Sequence, residues 1–195
     1  LMIRRPPRST QGVSSAASDV YKRQDQLPTT AVSRTIDPWL QRLGNGLSWI
    51  WVCLIFVIVL NVLLRYVFSE GRIELEEIQW HLYSTGFMLG LSYAFQADAH
   101  IRVDVLHERF SLELKAWIDL YGIVLFVLPF TALMLIYGIP FVMDSYETKE
   151  VSPSPGGLEL RWLIKSVLVL GFSLLGLAAF ARLTRLWSLL FSHAR

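Results

Sequence analysis

The chain contains a single cysteine, Cys53, and it lies inside an apolar run. One cysteine excludes an intramolecular disulfide, and neither a thiolate metal site nor a redox pair can be built from it. Charge is also scarce: Asp, Glu, Lys and Arg make up 17% of the 195 residues, against about 25% in ordinary soluble domains. No Ser/His/Asp set, metal-spaced cluster or phosphate-cradling glycine loop stands near one surface. That argues against an enzyme, and nothing points to a nucleic-acid partner. The four histidines raise the question of haem, which needs ligands facing each other inside a membrane bundle. His81 lies near one end of an apolar run, His100 and His107 fall in a polar segment, and His193 is in the tail. No bound cofactor is expected.

What the chain does have is apolar length. Hydrophobic residues reach 53% and aromatics 13%, with a mean hydropathy of +0.44. About 20 apolar residues, rising 1.5 Å each, cross a hydrocarbon layer of roughly 30 Å. The first such run, 47–68, has no charge before Arg65, and Asn61 is its one strongly polar interior residue. A buried Asn is expected to hydrogen-bond a neighbouring helix. The second, 78–97, is interrupted by Trp80, His81, Ser84, Thr85, Ser92 and Gln96, a composition suited to protein contact. Its Gly86 and Gly90 stand one turn apart, a spacing that lets another backbone approach closely. The third run, 117–143, has no charge after Asp119, and Pro129 and Pro140 would kink or end it. The fourth, 162–183, carries Lys165 near its start, where the side chain can snorkel, and a small-residue face of Gly171, Ser173, Gly176 and Ala179.

The expected fold is an all-α integral membrane protein with four transmembrane helices. Short amphipathic helices lying in the interface are expected near Asp37–Gly46, with Trp39 as an anchor, and across Asp98–Lys115. Residues 1–24 are basic and Pro/Ser-rich, without the apolar stretch of a signal peptide. They are expected to be a disordered tail. The stretch also resembles translated sequencing-adapter read-through, so it is given no function and Asp25 is expected near the first genuine residue. Residues 25–46 then form a cytoplasmic or interfacial lead-in. Eight Lys and Arg flank the runs on one side and five on the other. That bias places both termini in the cytoplasm.

The segment joining the first two runs concentrates charge: Glu70, Arg72, Glu74, Glu76 and Glu77 precede Trp80 and His81. At i, i+4 spacing Glu76 can face Trp80 and Glu77 can face His81. Such groups serve either as paired surface side chains or as a contact point for a partner protein. No ionisable residue stands near the middle of a run, where a stand-alone transporter would keep one.

Three motifs in order, RYVF at 65–68, EE-x-x-W at Glu76, Glu77 and Trp80, and HIRVD at 100–104, resemble the DctQ-type small permease subunit of tripartite ATP-independent periplasmic (TRAP) transporters. The later SYETKEVSPSPGGLELRWLIKSVLVLGFSLL is similar to a subgroup carrying PGGL…RW…K before its last span. The resemblance runs from about Trp39 to Leu190. It implies a bacterial inner-membrane protein that pairs with a large multi-span permease of the DctM type. A soluble periplasmic receptor would deliver the substrate, commonly an organic acid, and a sodium gradient would drive uptake. The small subunit would brace the permease and help dock the receptor, holding neither substrate nor sodium itself. The residues expected to meet partners are Arg65, Glu76, Glu77, Trp80, Gly86, Gly90, His100, Arg102 and Asp104. A four-helix anchor for a redox or signalling complex, embedded in the same bilayer, is the alternative.

Overall fold

The computed structural model describes residues 27–99 and 110–192. All regular structure among them is helical. Helix α1 covers Ala31–Val67, α2 Ile73–Gln96, α3 Leu112–Gly122, α4 Leu128–Glu147 and α5 Arg161–Trp187. A π-helical turn, Ile123–Val127, joins α3 to α4 without a break, and a second, Ser188–Ser192, follows α5.

Three helical stretches are long and apolar enough to cross a membrane: Ala31–Val67, Leu112–Glu147 and Arg161–Phe191. Helix α2 has 24 residues, about 36 Å at 1.5 Å per residue. It is long enough but less apolar, because Glu74, Glu76 and Glu77 stand in its first two turns and Gln79, His81, Ser84, Thr85, Ser92 and Gln96 interrupt it.

Helix α1 begins at a capping box. The Thr30 hydroxyl accepts from the Ser33 N–H, and the Ser33 hydroxyl accepts from the Thr30 N–H. The segment Asp37–Gly46 is not a separate surface helix; it continues unbroken into α1, with Pro38 inside. Tertiary contacts explain this. Asp37 is held by Arg185 of α5, and Gly44 is buried against the Tyr93 ring, which occupies the space a Cβ would fill. Residues that look like turn formers are used here for close packing.

In the third apolar run neither proline ends the helix. Pro129 falls in the first turn of α4, directly after the π-helical turn, and Pro140 lies inside α4 without ending it. A proline removes one backbone donor and crowds the preceding turn. The extra residue of the π-helical turn sits just where that disruption begins.

Helix α5 is the centre of the bundle. It packs against α1, α2, α3 and α4, whereas α1 otherwise packs mainly on α2 among the described residues. The chain alternates direction: Arg65 of α1 meets Glu76 of α2, Gly171 of α5 meets Met88 of α2, and Gly138 of α4 meets Leu168 of α5. One end of the bundle therefore gathers 65–77 and 144–165, and the other gathers the start of α1 and the end of α5. Small residues permit the approach. A Cβ added at Gly171 would lie 2.9 Å from the Met88 carbonyl oxygen, and one at Gly176 would lie 3.2 Å from Thr131. Ala179 beside them is fully buried, in a cluster with Ala116, Leu120, Ile123 and Leu186.

Asn61 is buried in α1, but its Oδ1 accepts no hydrogen bond among the described residues. The expected bond to a neighbouring helix is not made through that atom. Gln79 Nε2 on α2 is likewise buried without a partner.

Candidate functional site

Both ends of the bundle are tied by charge. At the acidic end, α2 opens with Glu74 and Glu76 in its first turn, where carboxylates complement the exposed N–H groups of the helix start. Glu76 reaches back to Arg65 at the end of α1, at 3.3 Å. Both side chains are about half exposed, so the pair contributes at most about 1 kcal/mol.

Glu77 does more. Its carboxylate accepts from the Leu158 N–H at 2.6 Å and from the Ser152 hydroxyl. Both donors belong to the connection between α4 and α5, so one α2 side chain anchors that loop. The loop also closes on itself, with the Ser152 N–H donating to the Leu158 carbonyl at 3.2 Å and Gly157 N–H to Ser154 at 2.9 Å. Gly157 must lack a side chain, because a Cβ there would lie 2.8 Å from the Glu77 carboxylate. The Ser152 hydroxyl, foremost, and the Leu158 N–H hold the Glu77 carboxyl below the usual range.

Glu150 follows a Schellman turn at the end of α4, where Glu150 N–H bonds Ser145 and Lys149 N–H bonds Tyr146. The turn directs Glu150 towards the start of α5, where it pairs with Lys165 and, at 3.4 Å, with Arg161. The Lys165 ammonium, foremost, keeps the Glu150 carboxyl low. Lys165 also sits 4.0 Å over the Phe141 ring.

Between α2 and this anchored loop lies an open cleft of about 300 Å³. Glu77, Trp80, His81, Ser84, Ser152 and Arg161 are among its walls. Trp80 is 70% exposed. His81 Nδ1 lies 2.5 Å from the Glu77 carbonyl. Because a carbonyl can only accept, Nδ1 carries a proton there and Nε2 remains an acceptor when the ring is neutral.

The opposite end is held by arginines of α5. Arg182 donates from Nη1 to Asp98 and from Nη2 to Asp119, both at 2.7 Å, and all three side chains are largely buried. Asp98 stands just past α2 with φ of 56°, a left-handed conformation that Asp tolerates better than most residues. The Ala99 N–H bonds Ala94, and Asp98 N–H bonds Phe95, completing another Schellman turn. Arg185 pairs with Asp37 of α1. Through these two arginines α5 is joined to α1, to the end of α2 and to α3.

The residues singled out in the sequence are thus divided. Arg65, Glu76, Glu77 and Trp80 gather at the acidic end. Glu76 takes Arg65 as its partner, not Trp80, and Glu77 spends its carboxylate on the loop while its carbonyl meets His81. Gly86 is buried against Ile50 and Trp51 of α1, with a Cβ 3.2 Å from the Trp51 ring, whereas no neighbour among the described residues lies within 4 Å of a Cβ at Gly90. His100, Arg102 and Asp104 lie outside the described residues. Gly86→Leu is therefore expected to destabilise the isolated chain by about 1–3 kcal/mol, the usual range for overpacking, and Gly90→Leu to leave it unchanged. Unfolding in detergent followed by circular dichroism checks this, and the reverse ranking would refute the packing.

Sequence reasoning missed Ser152, Leu158 and Arg161 as cleft-forming residues, and Arg182 as the partner of Asp98 and Asp119. The turn-rich SPSPGG marked a loop but not its anchor, and Arg182 entered only the count of membrane-flanking charge.

Compared with known families, residues 54–189 match the model of the DctQ component of tripartite ATP-independent periplasmic transporters. The chain belongs to the DctQ family. No individually curated protein matches it. Membership makes this DctQ protein a transporter component, not a member of an enzyme family, and implies a complex with other TRAP components. The matched region begins within α1 and takes in the acidic end, the cleft, Arg182 and Arg185.

Proposed function

We propose that this DctQ chain is the small membrane subunit of a sodium-driven TRAP transporter, bracing a large DctM-type permease and helping to dock a periplasmic receptor that delivers an organic acid or related solute. In this reading it sits in a bacterial inner membrane, with α2 as the fourth crossing and both termini cytoplasmic. It binds no cofactor; the sodium gradient acts on the complex.

One observation carries the proposal. The bundle is tied at both ends by buried or anchored charge, yet it leaves long apolar faces uncovered on its outer helices. On α1, Trp49, Ile55 and Phe56 are 62–70% exposed, and on α4 Ile136 and Tyr137 are 66% and 71% exposed. A rigid four-helix body with outer faces available to lipid and to a larger partner suits a brace. The family match supports a role within a TRAP complex. The lack of Asp, Glu, Lys or Arg at mid-length in the described helices suits a subunit that does not carry the solute itself.

Copurification with a DctM-type large permease tests the proposal, and failure to form that complex would refute it. Topology is checked by cysteine labelling from outside the cell in a Cys53→Ser background. Pro155→Cys, in the α4–α5 loop, is expected to react and Glu113→Cys, in the first turn of α3, is not. The opposite pattern would invert the orientation.

A further inference from the structure

We propose that the cleft between α2 and the α4–α5 loop is a socket for a lysine or arginine side chain of a soluble protein docking at the acidic end. This rests on the docking role proposed above and names the chemistry of the contact.

The charge balance selects a cation. Residues 65–77 and 144–165, which meet at this end, carry eight carboxylates against five Lys and Arg. Two of those cations, Arg161 and Lys165, are already engaged by Glu150, and Arg65 is engaged by Glu76. A basic side chain approaching from solution meets an excess of negative charge, which steers it and favours its retention.

The walls suit the same occupant. The volume, about 300 Å³, takes one long side chain and excludes a helix. Trp80 lines it and is 70% exposed, and an indole is the best of the aromatic platforms for a cation. His81 has its Nδ1 proton committed to the Glu77 carbonyl, which leaves Nε2 to accept from a donor such as an ammonium or guanidinium. The Ser84 hydroxyl lines the same wall and can accept as well. The anchored loop keeps the socket formed before a partner arrives, so little ordering is needed on binding.

The test uses the full chain in phosphatidylcholine nanodiscs, with fluorophore-labelled tri-lysine, tri-arginine and tri-glutamate peptides followed by anisotropy at low salt. The basic peptides are expected to bind and the acidic one is not. Trp80→Ala, which removes the platform, and Ser84→Leu, which fills the cleft, are each expected to weaken basic-peptide binding about tenfold. Both substitutions leave every charge in place, so unchanged binding in the two variants would mean diffuse electrostatic attraction and overturn the socket. Binding of the tri-glutamate peptide would overturn the sign of the site. Loss of basic-peptide binding in phosphatidylethanolamine nanodiscs would assign the cleft to a lipid headgroup and also overturn the proposal. Copurification with the large permease, measured on the same preparations, separates the two readings. Its failure in the unaltered chain would sink the subunit role while leaving the peptide result to judge the socket.

Discussion

Arg182→Met is expected to destabilise the bundle by about 3–5 kcal/mol, the range for removing one member of a buried ion pair. Arg182 bridges Asp98 and Asp119 at 2.7 Å each, with side chains only 13–21% exposed. Taking away the guanidinium removes the cation between two carboxylates held in a poorly solvated site, and the loss includes their mutual repulsion. It also cuts the link from α5 to the end of α2 and to α3 at one stroke. The informative companion is Arg182→Met combined with Asp98→Asn and Asp119→Asn. Neutralising all three of these side chains removes their desolvation penalty along with their attraction, and such replacements are often nearly neutral. The triple variant is therefore expected to recover most of the lost stability. Unfolding in mixed detergent micelles, followed by helicity, provides the measurement. A single variant as stable as the parent would show that the triad contributes nothing, and a triple variant worse than the single would show that the carboxylates have other indispensable partners.

The second large effect is expected at Gly171. A Cβ there would lie 2.9 Å from the Met88 carbonyl oxygen and 3.1 Å from the Met88 Cβ. Both are fixed by the α2 backbone, so neither can swing aside as the end of a long side chain would. Gly171→Leu must push α5 away from α2, and because α5 touches every other helix the displacement spreads through the bundle. Membrane helices gain little hydrophobic energy by meeting one another; close packing holds them, and separation sacrifices it directly. A cost at the upper end of the usual 1–3 kcal/mol for overpacking is expected, with reduced yield of the assembled complex. Gly90→Leu, on the neighbouring helix but facing open space, is the control. If Gly171→Leu assembled as well as that control, the α2–α5 contact would not be a close seam of the bundle.

Much of the architecture was legible beforehand because its cause is local. Long apolar runs must be helices in a bilayer, since backbone groups there have no water to bond, so 47–68 up to Val67, and all of 117–143 and 162–183, lie within three helices long and apolar enough to cross. The clustering of Glu70 to Glu77 beside Arg65 was equally plain, because those charges cannot enter hydrocarbon. The order of RYVF, EE-x-x-W and HIRVD pointed to the family that the comparison then showed. Helix continuity was less legible. Asp37–Gly46 read as a separate interfacial helix, yet with Asp37 bound to Arg185 and Gly44 under Tyr93 it runs on into α1.

Composition alone established the rest of what is local: a chain poor in charge, without cysteine chemistry, helical wherever its apolar runs continue. Tertiary structure decided the pairings. Glu77 and Leu158 stand 81 positions apart, and Asp98 and Arg182 stand 84 apart; no periodicity within either segment specifies the other. Likewise, Gly86 and Gly90 have the same spacing signature, but only Gly86 meets a neighbour, because which side of a helix is covered depends on where the other helices lie. Spacing places residues on a common face, whereas the packing of α1 and α5 against α2 determines which part of that face is filled.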